Sequence, residues 1–382
     1  MVYDVLFFKD LSTKVSYSLF DDGEGVAEFH AMIELQGELT DAEAALQFEN
    51  ISCSVTQLFL QPFLINMAPV FQRWFVSDLV NQSAFIPANE HVATSVVQQP
   101  PLNGSKAALW LYGIEKAQIQ QVGDNAISVT RPSYIHYFHT QMHETKGSAF
   151  EQTASVFGNY NANLSNLRCT LMANCIRTWL FVQNVDTQYA GMVEARNKVF
   201  DAEGLTSRTH YIASTGIEGR YKYPQSIILM DAYAISGLTQ QQIRYLKGST
   251  HLNPTQEYGV AFERGTAVQY GDRRHVFISG TASINNKGEI LHPLDVELQT
   301  QRVIENIKVL LAEAQCDMQN IAQMIVYLRD IADYKKVNRY MQNNYPYLPT
   351  VIVLAPVCRP GWLIEMECIA VQRISEPRYP QF

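Results

Sequence analysis

An internal duplication constrains the fold of this chain more than any other feature. When the two halves of the 382 residues are laid over one another, Gln152-Thr153 meets Gln299-Thr300, Val156 meets Val303, Asn159 meets Asn306 and Asp186 meets Asp333. Each half repeats one order of predicted elements: a helix opening near Gln-Thr, a strand (171–182; 321–328), a second helix (187–203; 332–344) and a further strand. The closing strands match at a different spacing, with Ile227-Ile-Leu-Met-Asp-Ala-Tyr-Ala-Ile235 over Leu363-Ile-Glu-Met-Glu-Cys-Ile-Ala-Val371. A repeat sets the architecture before any single residue does, because each copy must bury an apolar face on its neighbour.

In the C-terminal half, residues 275–283 read as a strand running into small residues, and Asn285-Asn-Lys-Gly288 reads as a hairpin turn. Asp295 is placed to cap the repeat's first helix. The order β-β-α-β-α-β, with long crossovers, predicts an α+β fold of sheet against helices. Two tandem units are expected: an extended, degenerate N-terminal copy over 1–240 and a C-terminal copy over 255–382. Turn and breaker residues join them at 236–256, and a second break is expected at 98–104. Residues 57–80 are rich in Leu, Phe and Met but are interrupted by Gln61, Pro62, Gln72, Arg73 and Asp78. That falls short of the ~18 apolar residues of a membrane span, so the stretch reads as a pair of amphipathic helices on a core.

The copies differ where it matters for chemistry. Glu365 stands in an otherwise apolar strand, over Leu229 of the upstream copy. Burial disfavours a charged carboxylate and raises its pKa, which is how a Glu becomes a general acid near neutral pH. Glu367 lies on the same strand face by period-2 alternation. Arg359, on the turn feeding the strand, offers a guanidinium fork for a carboxylate ligand. Arg177 interrupts an apolar strand, and Arg196 and Arg264 are further candidates for such forks. Tyr211 is a candidate donor to a carboxylate or ring hydroxyl, and Gly280 a position that leaves room for a ligand. Cys358 is a candidate to hydrogen-bond or protonate a reacting oxygen, against the commoner role of a small buried hydrophobe.

Composition limits the partners. The net charge of −8 argues against a nucleic-acid footprint, so an anionic small molecule must be drawn in by local arginines. Six cysteines without a CxxC pair fit a reduced, cytoplasmic protein, and the N-terminus lacks the pattern of a signal peptide. His136-x-x-His139-x-x-x-His143 reads as strand, with no acidic or Cys ligand near it, and Gly216-Ile-Glu-Gly219 lacks the Lys and helix of a phosphate loop. No metal, cofactor, nucleic-acid or membrane partner is expected.

Ile278-Ser-Gly-Thr-Ala-Ser283, Asp295-Val-x-x-Gln299-Thr300, Asn306-Ile307, Val326-Tyr-Leu-Arg-Asp330 and Cys358-Arg359-Pro…Glu365-Met-Glu367 together resemble the Rid/YjgF superfamily of small trimeric imine deaminases, with its chorismate-mutase-like unit. The likeness covers about 255–372. The longer architecture resembles the chorismatase family, which includes 3-hydroxybenzoate synthases and chorismate hydrolases. Ile176-Arg177-Thr-Trp179-Leu-Phe-Val, Ala195-Arg196-Asn197-x-x-Phe200, Ala213-Ser-Thr-Gly216-Ile and Ala261-Phe-Glu-Arg264-Gly extend that likeness to roughly 110–372. The loop from Arg359 to Glu365 is shorter than in the small deaminases. The resemblance implies cleavage of chorismate, with Glu365 and Cys358 catalytic and Arg177, Arg196, Tyr211, Arg264, Gly280 and Arg359 binding substrate. Cys358 and Gly280 imply the branch that forms 3-hydroxybenzoate and pyruvate. Hydrolysis to a dihydroxycyclohexadiene acid and imine deamination stay open as alternatives. So does assembly, as a monomer or a homotrimer.

Overall fold

Three six-stranded sheets, wound in the same strand order, make up the computed structural model, which describes residues 1–21, 23 and 25–382. Unit I holds β1 (Val2–Phe8), β2 (Thr13–Phe20), β3 (Glu28–Leu35), α1 (Ala44–Phe59), β4 (Met67–Val76), the four-residue α2 (Leu79–Gln82), β5 (Ala93–Gln98) and β6 (Ala107–Glu115). Unit II holds β7 (Gln118–Gly123), β8 (Ala126–Thr130), β9 (Ile135–His143), α3 (Ala149–Asn166), α4 (Leu171–Asn174), β10 (Cys175–Val182), α5 (Val185–Ala202), β11 (Ala213–Glu218) and β12 (Ile228–Ser236). Unit III holds β13 (Ile243–Leu246), β14 (Gly265–Gln269), β15 (Arg273–Ala282), α6 (Val296–Glu313), β16 (Ile321–Leu328), α7 (Tyr334–Asn344), β17 (Thr350–Leu354) and β18 (Ile364–Arg373). The sheet orders are β1-β2-β3-β6-β4-β5, β7-β8-β9-β12-β10-β11 and β13-β14-β15-β18-β16-β17. In each sheet the outer pair that follows the first long helix is parallel, as a crossover connection requires, and the rest is antiparallel.

The tandem α+β units expected from sequence are present, and their number is three. Residues 1–240 hold two of them, and each unit adds two edge strands to the predicted order. The break at 98–104 lies inside unit I, between β5 and β6. Residues 67–76 form a central strand rather than a second helix. Their run Met67-Ala-Pro-Val-Phe-Gln-Arg-Trp-Phe-Val is largely buried, and periodicity does not separate a doubly buried strand from a buried helix. Pro69 is accommodated at a bulge in that strand. The predicted 171–182 strand begins only at Cys175, after the α4 turn.

One glutamine per unit performs the same task. Gln299 Nε2 donates to His292 and Gly361 carbonyls while Leu363 N–H donates to its Oε1. Gln152 bridges Gly147 and Gln225 carbonyls and accepts from Ile227 N–H. Gln47 bridges Thr40 and Ala42 carbonyls and accepts from Lys106 N–H. In units II and III each amide ties the start of the first long helix to the turn entering the last strand. Gln47 holds its own helix start and the residue entering β6.

The units close on one another. Gln98 N–H donates to Arg220 O at 2.9 Å, Glu218 N–H to Pro356 O at 3.1 Å, and Leu354 N–H to Pro100 O at 2.8 Å. These link I to II, II to III and III to I, so a pseudo-threefold ring is completed within one chain. Aromatic side chains from all three sheets, among them Phe71, Trp110, Phe138, Trp179, Tyr233 and Phe277, meet around its centre. A buried ion pair between Glu28 and Arg273 (2.6 Å) sits there too, with Tyr112 and His275 on the same carboxylate. Burial pushes the Glu28 carboxyl up, but His275 and Arg273 outweigh it and hold the group below the usual carboxylate range. The ring leaves a cleft at each of its three junctions.

Candidate active site

The II–III junction gathers most of the residues singled out in the sequence. β18 delivers Glu365, β15 delivers Gly280, the segment 260–264 delivers Arg264, and the turn 358–362 delivers Cys358, Arg359 and Trp362. From unit II, α5 delivers Tyr189 and Arg196, and β11 delivers Thr215 and Gly216. Arg329 braces this turn from behind, donating to Val357 O at 2.6 Å while pairing with Asp186 at the start of α5.

Glu365 is only 5% exposed. Burial pushes its carboxyl up to about 8, and the Glu367 charge adds to the rise, while Arg177 and Arg264 oppose it. At neutral pH the group therefore carries its proton. Its carboxyl lies over Gly280, where a Cβ would come within 2.8 Å of Glu365 Cδ. Gly280 N–H in turn donates to Thr215 Oγ1 at 2.9 Å.

Cys358 is half-buried. Burial pushes its thiol up to about 12, and the neighbouring Glu365 adds to this, although a hydrogen bond from Tyr189 works the other way. It is a neutral thiol at any physiological pH. Arg196 is buried close to both Tyr189 and Cys358. Arg264 is held through Nη2 by Asn253, at 3.0 Å to its carbonyl and 3.1 Å to its Oδ1. Arg359 lies over the Trp362 ring at 5.1 Å. Three guanidinium groups thus line the hollow that holds one protonated carboxyl.

Two predicted binding residues lie elsewhere. Arg177 does not line the hollow. It is buried behind it, paired with Glu367 at 2.8 Å and bonded to Thr215 and to Ser279 Oγ at 3.4 Å. Glu367, on the same strand face as Glu365, is fully engaged there by Arg177, Thr215 and the Trp179 indole at 2.7 Å. Tyr211 lines an adjoining hollow that shares Phe262 and Arg264 with the site. Its N–H donates to Glu263 Oε1 at 2.8 Å, and its ring stacks on Phe200. Sequence reasoning gave no role to Tyr189, Thr215 or Trp362. Thr215 stands inside a quoted motif and Trp362 in the loop from Arg359 to Glu365, whereas Tyr189 is one helical residue without any local signal.

The hollow is narrow, about 30 Å³, which is room for about one water. A ring ligand is larger than the hollow as it stands. Among the described residues no group of His, Cys, Asp and Glu is disposed to hold a metal ion. The three histidines of the 136–143 segment are separated along β9, with His136 bonded to Tyr233 and His139 against Tyr160. Among the described residues no helix is long and apolar enough to cross a membrane.

A repeated sheet-and-helix unit with a buried acid between two copies defines the class, and comparison with known proteins agrees. The family model for endoribonuclease L-PSP matches residues 262–372. A RutC family protein of Pyrococcus abyssi is 37% identical over 107 residues, spanning 27% of this chain and 82% of that protein. The 3-aminoacrylate deaminase RutC of Acinetobacter baylyi is 28% identical over 97 residues, spanning 25% of this chain and 77% of that protein. The chain belongs, through its third unit, to the RutC family of the Rid superfamily. Over most of its length the architecture is similar to that of a chorismatase crystal structure, which aligns with a TM-score of 0.62 over 79% of this chain and 92% of that one, at 17% identity. At that identity the likeness is one of fold.

Proposed function

We propose that the chain cleaves chorismate, releasing its enol-ether side chain as pyruvate and leaving 3-hydroxybenzoate. The observation that carries this reading is Glu365, a carboxyl protonated at neutral pH and enclosed with three arginines. Chorismate brings two carboxylates, which guanidinium forks match in charge and geometry. It also brings an enol ether, whose cleavage begins with protonation of the methylene carbon. Carbon is a slow base, and a positioned acid of raised pKa contributes about 10²–10⁴-fold to such a step.

In this reading Arg196, Arg264 and Arg359 hold the carboxylates. Glu365 gives its proton to the methylene carbon, the double-bond pair forms the new C–H bond, and positive charge develops on the adjacent ether carbon. The resulting Glu365 carboxylate stabilises that charge. As the ring C–O bond breaks and pyruvate leaves with the ether oxygen, the neighbouring ring hydroxyl oxygen bonds the vacated carbon and its proton returns to Glu365. Opening of that epoxide at its original carbon, with loss of the hydrogen on the newly oxygenated carbon, gives 3-hydroxybenzoate. Cys358 and Tyr189 form a neutral donor pair beside the ring. The route to 3-hydroxybenzoate consumes no water overall, since every atom of the substrate ends in the two products. The resemblance of Cys358 and Gly280 to the 3-hydroxybenzoate-forming branch supports that route, whereas hydrolysis to the dihydroxycyclohexadiene acid takes up one water. The alternative of imine deamination draws its support from the RutC relatives, one of which is named for 3-aminoacrylate.

The test is to incubate the protein with chorismate, follow pyruvate through lactate dehydrogenase, and identify the ring product by absorbance and chromatography. Pyruvate with 3-hydroxybenzoate is the expected result. Pyruvate without an aromatic product would make the protein a hydrolase. Absence of pyruvate, with ammonia released from 3-aminoacrylate, would make it a deaminase.

A further inference from the structure

The three junction clefts share a detail of register. The third and sixth strands of each unit pair antiparallel, and one level of that pairing faces the cleft. In unit III the pair is Ala282 with Glu365, in unit II His143 with Leu229, and in unit I Glu34 with Ala108. The levels are equivalent, because Tyr327, Phe181 and Phe75 of the fourth strands lie opposite Glu365, Leu229 and Ala108. Each pair therefore holds one titratable side chain, and each of these lines the cleft of its own junction. At the III–I junction the acid has moved to the partner strand, from the position of Glu365 to that of Ala282.

That cleft is open and roomy. It measures about 420 Å³, within the range of small-molecule sites, about 300–1,000 Å³. The Glu34 carboxyl makes no hydrogen bond among the described residues. Lys14 lies directly across the β2–β3 pair from it and also lines the cleft, so the two charges balance locally. Among the described residues no arginine lines the cleft. Gln36, Asn103, Tyr334 and Asn338 supply amide and phenol groups around the same space. Burial raises the Glu34 carboxyl, with Lys14 opposing.

We propose that the III–I cleft is a second small-molecule site, built for an uncharged polyhydroxylated ligand of monosaccharide size, with Glu34 and Lys14 as its floor. A dianion is not matched there, since the single cation is already balanced by Glu34. Hydroxyl groups suit the amides and phenol, which offer donors and acceptors side by side. The inference rests on the register and the cleft alone and is independent of what the II–III site does.

The experiment is saturation-transfer NMR on the full chain with myo-inositol and D-glucose as probes. Transfer to at least one probe is expected. It should be lost in Asn338→Leu, which fills the cleft from α7, weakened several-fold in Glu34→Ala, and kept in Glu365→Gln. Asn338 is a half-buried helix residue, so that variant carries the test should Glu34→Ala fail to fold, with circular dichroism as the check. No transfer to either probe from the folded protein, or transfer that survives Asn338→Leu, overturns the proposal.

Discussion

Glu365 and Gly280 are in contact across the β15–β18 pair, the carboxyl of one resting where the side chain of the other would be. The relationship is one-sided. Gly280 does not need its conformational freedom here, since it lies within β15; it needs its missing Cβ. Gly280→Ala would push the acid off its position beside the arginines, and a displacement of about 1 Å can cost about 10²-fold in rate. The expected outcome is a fall of that order in pyruvate release from chorismate, with the fold intact by circular dichroism. Unchanged turnover would mean that the carboxyl does not act from this position.

The elevated carboxyl fixes two pH dependences. As the acid, Glu365 must be protonated, so turnover should hold through neutrality and fall as pH rises past about 8. Glu365→Gln should lose about 10²–10⁴-fold and with it this alkaline limb. Stability moves by linkage. Below the ordinary carboxylate pKa both folded and unfolded chains are protonated, and the group costs nothing. Above it the unfolded chain ionises and the folded one does not, so stability drains away until the folded pKa near 8 is passed. Glu365→Gln should therefore melt progressively higher than the parent between pH 5 and 8, with the gap level beyond. Thermal melts across that range would expose the error if the gap were constant.

Glu367 and Arg177 set the field in which Glu365 works. Glu367→Gln removes a charge that raises the Glu365 carboxyl, so the alkaline limb should move to lower pH. It also strands the Arg177 guanidinium in the interior, and breaking a buried pair costs about 3–5 kcal/mol. A urea titration reads the second effect and a pH–rate profile the first. Loss of stability with an unmoved limb would confine the pair to a structural role.

How much of this was legible in the sequence depended on whether the signal was local. The Gln-Thr helix starts of units II and III stood out because the dipeptide repeats, and Glu365 stood out because a carboxylate in an apolar strand is an anomaly. Unit I escaped because Phe48 follows Gln47, and because α2 is a four-residue stub where its counterparts are full helices. Arg177 was read as a ligand fork for the right reason, its burial, yet its partner Glu367 lies on a strand of another unit, and no linear pattern joins them. Tyr189 was missed for the same reason, since it meets Cys358 only across the II–III junction.

The state of the Cys358 thiol gives a chemical prediction. With its pKa pushed up to about 12 it forms almost no thiolate at neutral pH, and the thiolate is the nucleophile. Iodoacetamide should label exposed Cys53 and leave Cys358 intact, as peptide mapping would reveal. If Cys358 guides the ring chemistry as a neutral donor, Cys358→Ala should shift the product from 3-hydroxybenzoate towards the dihydroxycyclohexadiene acid while pyruvate continues to form.

The three glutamine clasps allow a stability effect to be separated from a functional one. Gln47 and Gln299 each satisfy three backbone groups and Gln152 four, and a buried polar group left without a partner costs about 1–3 kcal/mol. Gln47→Ala and Gln299→Ala should thus destabilise the chain by similar amounts. Their effects on turnover should differ. Gln299 bonds Gly361 O and Leu363 N–H, within the turn that carries Arg359 and leads into Glu365, whereas Gln47 bonds backbone far from the II–III hollow. At a temperature where both variants are fully folded, Gln299→Ala should raise KM for chorismate and lower kcat, and Gln47→Ala should do neither. Equal kinetic losses in the two variants would show that the clasp acts on the ring as a whole rather than on the turn that presents the arginine.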